Sequence, residues 1–422
     1  MLSLIKLSPR WDVHDRRDSF RLQLVCLKYL GLWPPENADE RTRNRYIVYG
    51  WVLRVVFLHL YVVTQVLYFK DVKDINDIAN ALFVLMTQVT LAFKLEKFNY
   101  NIGRIQACLR KLNCTLYHPK SQVEYRPVLQ SMSEVFWLMI FLMFLAIFTI
   151  VGWTVSPAFD NERRLPVPAW FPFDFQRSTT TYALLFLYQT IGIVLSATYN
   201  FSTDTMFSGL MLHLKGQIVR LGSMVQKLGH EEPRELREAM PPYRCDDEWK
   251  SIRARIEHHS KTQGKTYSEV IECVLFHKNI LSFIDEVQDI FHPSIFAQVC
   301  ASVIILCMTL LQATGDDTTM AELLSCALYL LVMTSQIFIF CYVGNEISYA
   351  TNQFTEFVGY SDYFKFDKAT GKAIVFFMQM TMKDVHIKVG TVLKVTLNLH
   401  TFLQIMKLSY SYLAVLQSME SK

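Results

Sequence analysis

The chain has 422 residues, of which 51% are hydrophobic and 14% aromatic, and a formal net charge of only +4. This excludes a disordered or collagen-like chain. The near-neutral balance, with no basic run interleaved with aromatics, also excludes a nucleic-acid-binding protein.

The opening stretch MLSLIKLSPRWDVHDRRDSF holds an apolar patch too short for a cleavable signal, so the first membrane span is expected to direct insertion. Seven apolar runs follow, at 46–69, 75–93, 135–155, 181–198, 291–311, 323–343 and 391–417. The clearest, VFWLMIFLMFLAIFTIVGWTV at 135–155, carries no charge. At ~1.5 Å per residue it crosses the ~30 Å hydrocarbon layer. Polar residues dilute the second and fourth runs. A shorter apolar run, 373–382, precedes the last.

Lys and Arg placement sets the orientation. Residues 1–45 hold nine, 94–134 seven and 344–372 three, against two in 70–74 and three in 156–180. The N-terminus is therefore expected in the cytoplasm and the C-terminus outside. None of the nine cysteines falls in an expected outer loop, so no disulfide is expected. The sequons at Asn113 and Asn200 lie on the inner side and in or near the fourth span, where neither is expected to be glycosylated. Seven spans also suggest a G-protein-coupled receptor, but that class has the opposite orientation. Its Asp-Arg-Tyr and Asn-Pro-x-x-Tyr motifs are missing here.

Of the expected outer loops only 156–180 is long. Its prolines and aromatics, LPVPAWFPFDF, favour a fixed extended path. That path is read equally well as an aromatic belt or as a lid over a cavity. The inner segment 213–290 begins as a charged loop broken by Pro233, Pro241 and Pro242. Helical spacing then returns, with Val270, Val274, His277, Leu281, Ile284, Val287 and Phe291 on one face. This predicts a long helix entering the fifth span, its apolar stripe buried against 373–382 and the inner extension of the fourth span. Arg54, about eight residues inside the first span, is expected to snorkel to the inner surface. Asp204 is expected to make a structural hydrogen bond or ion pair.

The search for an active site is negative. GKTYS at Gly264 lacks the upstream glycine of a phosphate loop, and there is no His-Glu-x-x-His. Cys273 and His277 offer two metal ligands, too few for a site. The chain is read as no enzyme, with no metal and no cofactor.

The last run carries a polar stripe. His400, Gln404, Lys407, Ser411, Ala414 and Ser418 follow in steps of four and three, which keeps them on one helix face. The opposite face holds Phe402, Ile405, Met406, Leu413 and Leu416, with Ser409 able to bond its own helix. Residues alone leave two readings open. The stripe is either glue between helices, the slightly favoured one, or the lining of a water-filled pore made by several copies. A ring of Lys407 would repel cations in a tight passage. Apolar Ala414, Val415 and Met419 near the outer end suit closure by dewetting.

TFLQIMKLSYSYLAVLQ at the end of the chain resembles the closing signature of insect odorant receptors. So do CVLFHKNILSFIDEVQDIFHPSIFAQVCASVIILC at 273–307, TDTMFSGLMLHLKGQIVRLG at 203–222, SQIFIFCYVGNEIS at 335–348 and LPVPAWFPFD in the outer loop. The resemblance covers nearly the whole chain. It implies an all-α membrane protein with seven transmembrane helices and a cytoplasmic helical anchor bundle. Its function would be that of a ligand-gated, non-selective cation channel, probed by volatile odorants. The length implies the odorant-binding subunit, which assembles with a shared co-receptor into a hetero-oligomer, a tetramer, in the plasma membrane of olfactory sensory neuron dendrites. The resemblance shifts the stripe from glue to pore, with Gln404, Lys407, Ser411, Val415, Ser418 and Met419 lining it.

It also implies a ligand pocket in the outer half of the membrane between the second, third, fourth and sixth spans. The stretches there offer Leu82, Phe83, Met86, Phe148, Val151, Gly152, Tyr182, Leu185, Phe186, Gln189, Leu324 and Leu328, a lining for a small neutral volatile. With roughly ten heavy atoms at ~0.8 kcal/mol per atom, such a ligand binds no tighter than micromolar. The expected organisation has five segments. Residues 1–212 hold spans 1–4, and 213–290 the inner loop and anchor helix. Spans 5 and 6 occupy 291–343, an inner segment with a second anchor helix 344–390, and the pore helix with a short outer tail 391–422. The competing readings are a gustatory-type channel of the same architecture and, further off, a G-protein-coupled receptor.

Overall fold

The computed structural model describes residues 15–35, 38–70, 75–119, 121–155, 157, 164–173, 178–228, 264–313, 320–360, 363–391 and 393–420. The helices are α1 (Arg21–Tyr29), α2 (Glu40–Tyr68), α3 (Ile75–Tyr100), α4 (Ile102–Leu112), α5 (Gln122–Val155), α6 (Thr179–Gln226), α7 (Lys265–Ala313), α8 (Met320–Gly359), α9 (Lys368–Thr381) and α10 (Leu399–Glu420). A short antiparallel hairpin, β1 (Lys388–Val389) and β2 (Val395–Thr396), joins α9 to α10.

Among the described residues, α2, α5, α6, α7 and α8 are long and apolar enough to cross a membrane. With α3 and α10 they match the seven expected spans. Both α3 and α10 are the more polar helices, with Gln88, Lys94 and Glu96 in one and the polar stripe in the other. The 48 residues of α6 and 49 of α7 reach about 70 Å each at ~1.5 Å per residue, so both project far beyond a ~30 Å layer. The centre of the molecule is α6. Nearly every side chain from 199 to 222 is buried, against α5, α7, α8 and α1.

The projecting ends pack with α4 and α9 into a second bundle at the end where the chain starts. The apolar stripe of α7 is buried there as expected: Val270, His277, Ile284 and Val287 are at most 4% exposed. Its partners are the anticipated α6 and α9, together with α4 and the end of α8. The His277 ring stacks on Phe354 of α8 at 5.4 Å and meets the edge of Phe377 of α9 at 5.6 Å. Residues 229–263, which include the proline-broken loop, lie outside the described residues.

A 3-10 turn, Arg16–Phe20, ties the start of the chain to this bundle. The Arg16 guanidinium donates to the carbonyls of Leu112 and Tyr117, which close α4 and the turn after it. Burial, and secondarily the charge of Arg220, push its proton affinity below the ordinary arginine value. Asn113 is used in the same joint: its Oδ1 accepts from Arg16 N at 3.0 Å and its Nδ2 donates to Asp15 at 2.7 Å.

Two expectations are corrected. Arg54 does not snorkel. It is 4% exposed, beside a π-turn at Val55–His59, with Nε 3.7 Å from Glu96 Oε1 of α3. The last span does not begin at 391. Gly390 sits at φ 92°, where an added Cβ would lie 2.1 Å from Leu393 O, and this turn starts the hairpin. The helix starts only at Leu399, where Asn398 Oδ1 accepts from Thr401 N at 2.8 Å as a cap. It then runs past 417 to Glu420. The described part of the long loop, 164–173, is pinned to α6 and α2. Gln189 of α6 donates through Nε2 to Val167 O and accepts through Oε1 from Val167 N, both at 3.0 Å. Trp170 N donates to Thr64 O of α2 at 3.0 Å.

Candidate functional site

A cavity of about 100 Å³ lies between α3, α5, α6 and α8. Apolar side chains dominate its wall: Val84 and Leu91 of α3, Leu142, Ala146 and Ile150 of α5, Ile193 and Phe201 of α6, Val332 and Met333 of α8. An aromatic cluster closes one side. The Trp153 and Tyr329 rings lie 5.3 Å apart, and Phe83 packs behind both at 6.0 and 5.2 Å. An apolar cavity of ~150 Å³ accepts a benzene ring, so this one suits a single small ring or short chain with slight expansion.

The polar groups in the wall are few and uncharged. Thr87 Oγ1 donates to Phe83 O at 2.8 Å and bonds the Tyr329 hydroxyl. Ser196 Oγ donates to Gln88 Oε1 at 3.1 Å. Asn200 and Gln336 complete the polar part of the wall.

Just behind Asn200 lies a buried ion pair. Lys94 Nζ of α3 stands 2.5 Å from Asp204 Oδ1 of α6, and both side chains are 4% exposed. The ammonium also donates to Asn200 Oδ1 at 2.6 Å and Gln298 Oε1 of α7 at 3.4 Å. The expected partner of Asp204 is thus a lysine of the second span. Beside the pair is a smaller void of about 20 Å³. Asp204 Oδ2, which takes no hydrogen bond, belongs to the same residue that lines it.

None of the twelve expected pocket residues lines this cavity. Phe83 reaches it only through the rings of Trp153 and Tyr329. Leu82 and Met86 are half-buried on α3. Phe148, Val151 and Leu324 are 48%, 52% and 61% exposed on the outside of the single chain. Gly152 forms the α5–α8 contact: Ser325 Oγ donates to its carbonyl at 3.4 Å, and a Cβ there would lie 3.3 Å from Leu328. Tyr182 donates to Arg164 O at 2.9 Å with Phe186 beside it, and Leu185 is half-buried one turn on. Gln189 is committed to the loop. The four helices are the expected ones, but the cavity lies on adjoining faces of α3 and α5 at nearly the same level and further along α6 and α8. Small polar residues at helical spacing inside apolar runs mark it in the sequence: Thr149 with Trp153, Ser196 with Asn200, Tyr329 with Gln336.

The second candidate site is the outward face of α10. His400, Gln404, Lys407, Ser411, Ala414 and Val415 are all exposed on the single chain, so the stripe is not glue within it. Ile405, Ser409 and Leu413 face inward, against α7 and α8. Phe402 meets Phe338 of α8 at 5.4 Å, and Ser409 Oγ donates to Ile405 O at 3.0 Å. Lys407 makes no ion pair among the described residues. Ser418 and Met419 lie in the helix, but their side chains are outside the described residues.

The sequence profile described as 7tm Odorant receptor matches residues 74–410. The chain is 77% identical to Odorant receptor Or1 of Anopheles gambiae over 421 residues, covering 100% of both chains. It is 22% identical to Odorant receptor 94a of Drosophila melanogaster over 415 residues, covering 96% of this chain and 98% of that one. The structure of the insect olfactory receptor OR5 from Machilis hrabei in complex with eugenol superposes with a TM-score of 0.78 at 15% identity, covering 97% of this chain and 100% of that chain.

Proposed function

The chain belongs to the odorant receptor family, a receptor family of seven-helix membrane proteins and not an enzyme family, and from that premise we propose that it is the odorant-binding subunit of a heteromeric ligand-gated cation channel. The observation that carries the proposal is the pairing of two features on one chain. A small, uncharged, mostly apolar cavity sits inside the helix bundle, and a polar helix face is left unpartnered on its outside.

The ligand is a small neutral volatile, held where Ala146, Trp153, Ser196 and Tyr329 converge. The fold-matched receptor from Machilis hrabei is solved with eugenol, which supports a small organic ligand of this size class. In this reading the pocket residues are those of the observed cavity in place of the twelve expected from the runs.

The pore is built from α10 of several subunits, one of them this chain and others the shared co-receptor. Gln404, Lys407, Ser411 and Val415 face the conduction path, with Ser418 and Met419 at its outer end. Lys407 has no acidic partner among the described residues of its own chain; in this reading it stands where the passage is wide or faces an acidic group of the co-receptor. The N-terminus lies in the cytoplasm, and the α4–α7–α9 bundle docks subunits below the plasma membrane. Ligand opens the channel by binding the open arrangement more tightly than the closed one.

The test is co-expression with the co-receptor in cells lacking G-protein signalling, with current recorded during volatile application. Evoked cation current supports the proposal. A response that needs G proteins, or ligand flux without ion conductance, overturns it. Surface staining of an N-terminal tag on unpermeabilised cells contradicts the orientation.

A further inference from the structure

The cavity meets the Lys94 cluster at Asn200 and Gln336, and this contact fixes which way the amides face. A lysine ammonium has three donors and no acceptor. Each amide beside it must therefore turn its oxygen inward. Asn200 does so at 2.6 Å, which leaves its Nδ2 pointing away from the ammonium. Gln298 turns Oε1 to Lys94 at 3.4 Å, and its Nε2 then donates to Gln336 Oε1 at 3.5 Å. Gln336 in turn has only its Nε2 left. On the next turn Gln88 spends its Oε1 on Ser196 at 3.1 Å.

Gln88, Asn200 and Gln336 all line the cavity. Their amide oxygens are each occupied by a donor from the protein, and their amide nitrogens have no acceptor among the described residues. An amide donor left without a partner in an apolar cavity is unfavourable until something accepts from it. Because Asp204 sits 2.5 Å from Lys94, the charge behind the wall is already balanced, and an anionic ligand gains nothing there.

We infer that the ligand of this receptor is a neutral molecule bearing a hydrogen-bond acceptor, a carbonyl, ester or ether oxygen, held by the amide donors of Asn200 and Gln336, whose orientation Lys94 imposes from behind the cavity wall, and by that of Gln88, whose oxygen Ser196 occupies. The inference rests on the proposed function and adds the ligand's chemical class. The cavity's size limits the carrier to a single ring or short chain.

The test compares shape-matched pairs in which =CH2 replaces =O, such as acetophenone with α-methylstyrene and 2-heptanone with 2-methyl-1-heptene. Evoked current is recorded from the receptor with its co-receptor, and thermal shift is measured on the purified chain. The ketone of at least one pair is expected to act at a concentration about tenfold lower, or more, than its alkene. Combining Gln336→Met with Gln88→Met should shrink that gap to about twofold while the alkene keeps its potency. Replacing Lys94→Met together with Asp204→Leu releases Asn200 to turn, and alcohols should then gain on ketones. Alkenes as potent as their ketones would overturn the inference, as would a gap that survives the amide substitutions. Absent current, with both subunits at the surface and thermal shift still favouring ketones, would count against the channel reading and leave the ligand class standing.

Discussion

Lys94 and Asp204 form an ion pair 2.5 Å long in the interior of the helix bundle, one residue on α3 and the other on α6, each 4% exposed. The pair joins the second expected span to the centre of the molecule, one turn behind the cavity.

Removing one partner of this pair leaves the other charge buried and alone. Asp204→Asn or Lys94→Met should destabilise the folded chain by about 3–5 kcal/mol, read as a loss of surface receptor and a lower melting temperature in detergent. The double change Lys94→Met with Asp204→Leu should be milder than either single change. A double variant no better than the singles would contradict a paired role.

Filling the cavity should abolish ligand response without unfolding the chain. Ala146 of α5 is 8% exposed and lines the space of about 100 Å³. Ala146→Phe adds a ring into that space. Evoked current should fall at least about tenfold at unchanged surface level, a prediction checked by concentration–response recording with surface biotinylation. Unaltered sensitivity would put the ligand elsewhere.

Gln189 holds the loop by two hydrogen bonds to one residue, Val167. Gln189→Ala leaves the buried Val167 N–H and carbonyl without partners, a loss of about 1–3 kcal/mol. Faster cleavage of the 164–173 segment by protease should report the release, and Gln189→Glu should restore only part of the hold, since a carboxylate has no donor for Val167 O. Equal cleavage of wild type and Gln189→Ala would show that the clamp is dispensable.

Gly344 of α8 lets the base of α10 come close. A Cβ there would lie 2.3 Å from Leu397 O and 2.7 Å from the Leu397 side chain, just before α10. Gly344→Ala must push Leu397 and the start of α10 outward, and backbone cannot yield as a flexible side chain does. Evoked and basal currents should both change while ligand binding, measured by thermal shift, stays within about twofold. Loss of ligand binding equal to the loss of current would assign Gly344 to the pocket instead.

The helix count was legible because runs such as 135–155 are apolar throughout, and the length of a membrane span leaves no other use for them. The stripe of α10 was legible from its period alone, since Gln404, Lys407 and Ser411 can share a face only on a helix. Its start was not: Thr391 and Lys394 fit a span by composition, and only the positive φ of Gly390 turns that stretch into a hairpin. Pocket positions were the least legible. Apolar residues on an apolar helix look alike on every face, so Phe148 and Val151 read as well as Ile150 and Trp153. The polar residues that distinguish the right face do so through partners on other helices, Thr87 with Tyr329 and Gln88 with Ser196, which no single run reveals. Lys94 was counted as an inner-side charge at the end of the second span, yet it lies inside the bundle because Asp204, 110 residues away, is there to meet it.

Cysteine accessibility along α10 tests the central claim most directly. Single cysteines at Gln404 and Ser411 on the outward stripe, and at Leu413 on the face packed against α7, are co-expressed with the co-receptor and exposed to a charged, membrane-impermeant thiol reagent during odorant application. The wild-type chain serves as the control for its native cysteines. The account predicts that Gln404→Cys and Ser411→Cys currents are modified irreversibly, and faster with odorant than without, while Leu413→Cys behaves as wild type. Modification at Leu413→Cys with the two stripe positions unaffected would contradict a pore lined by this helix.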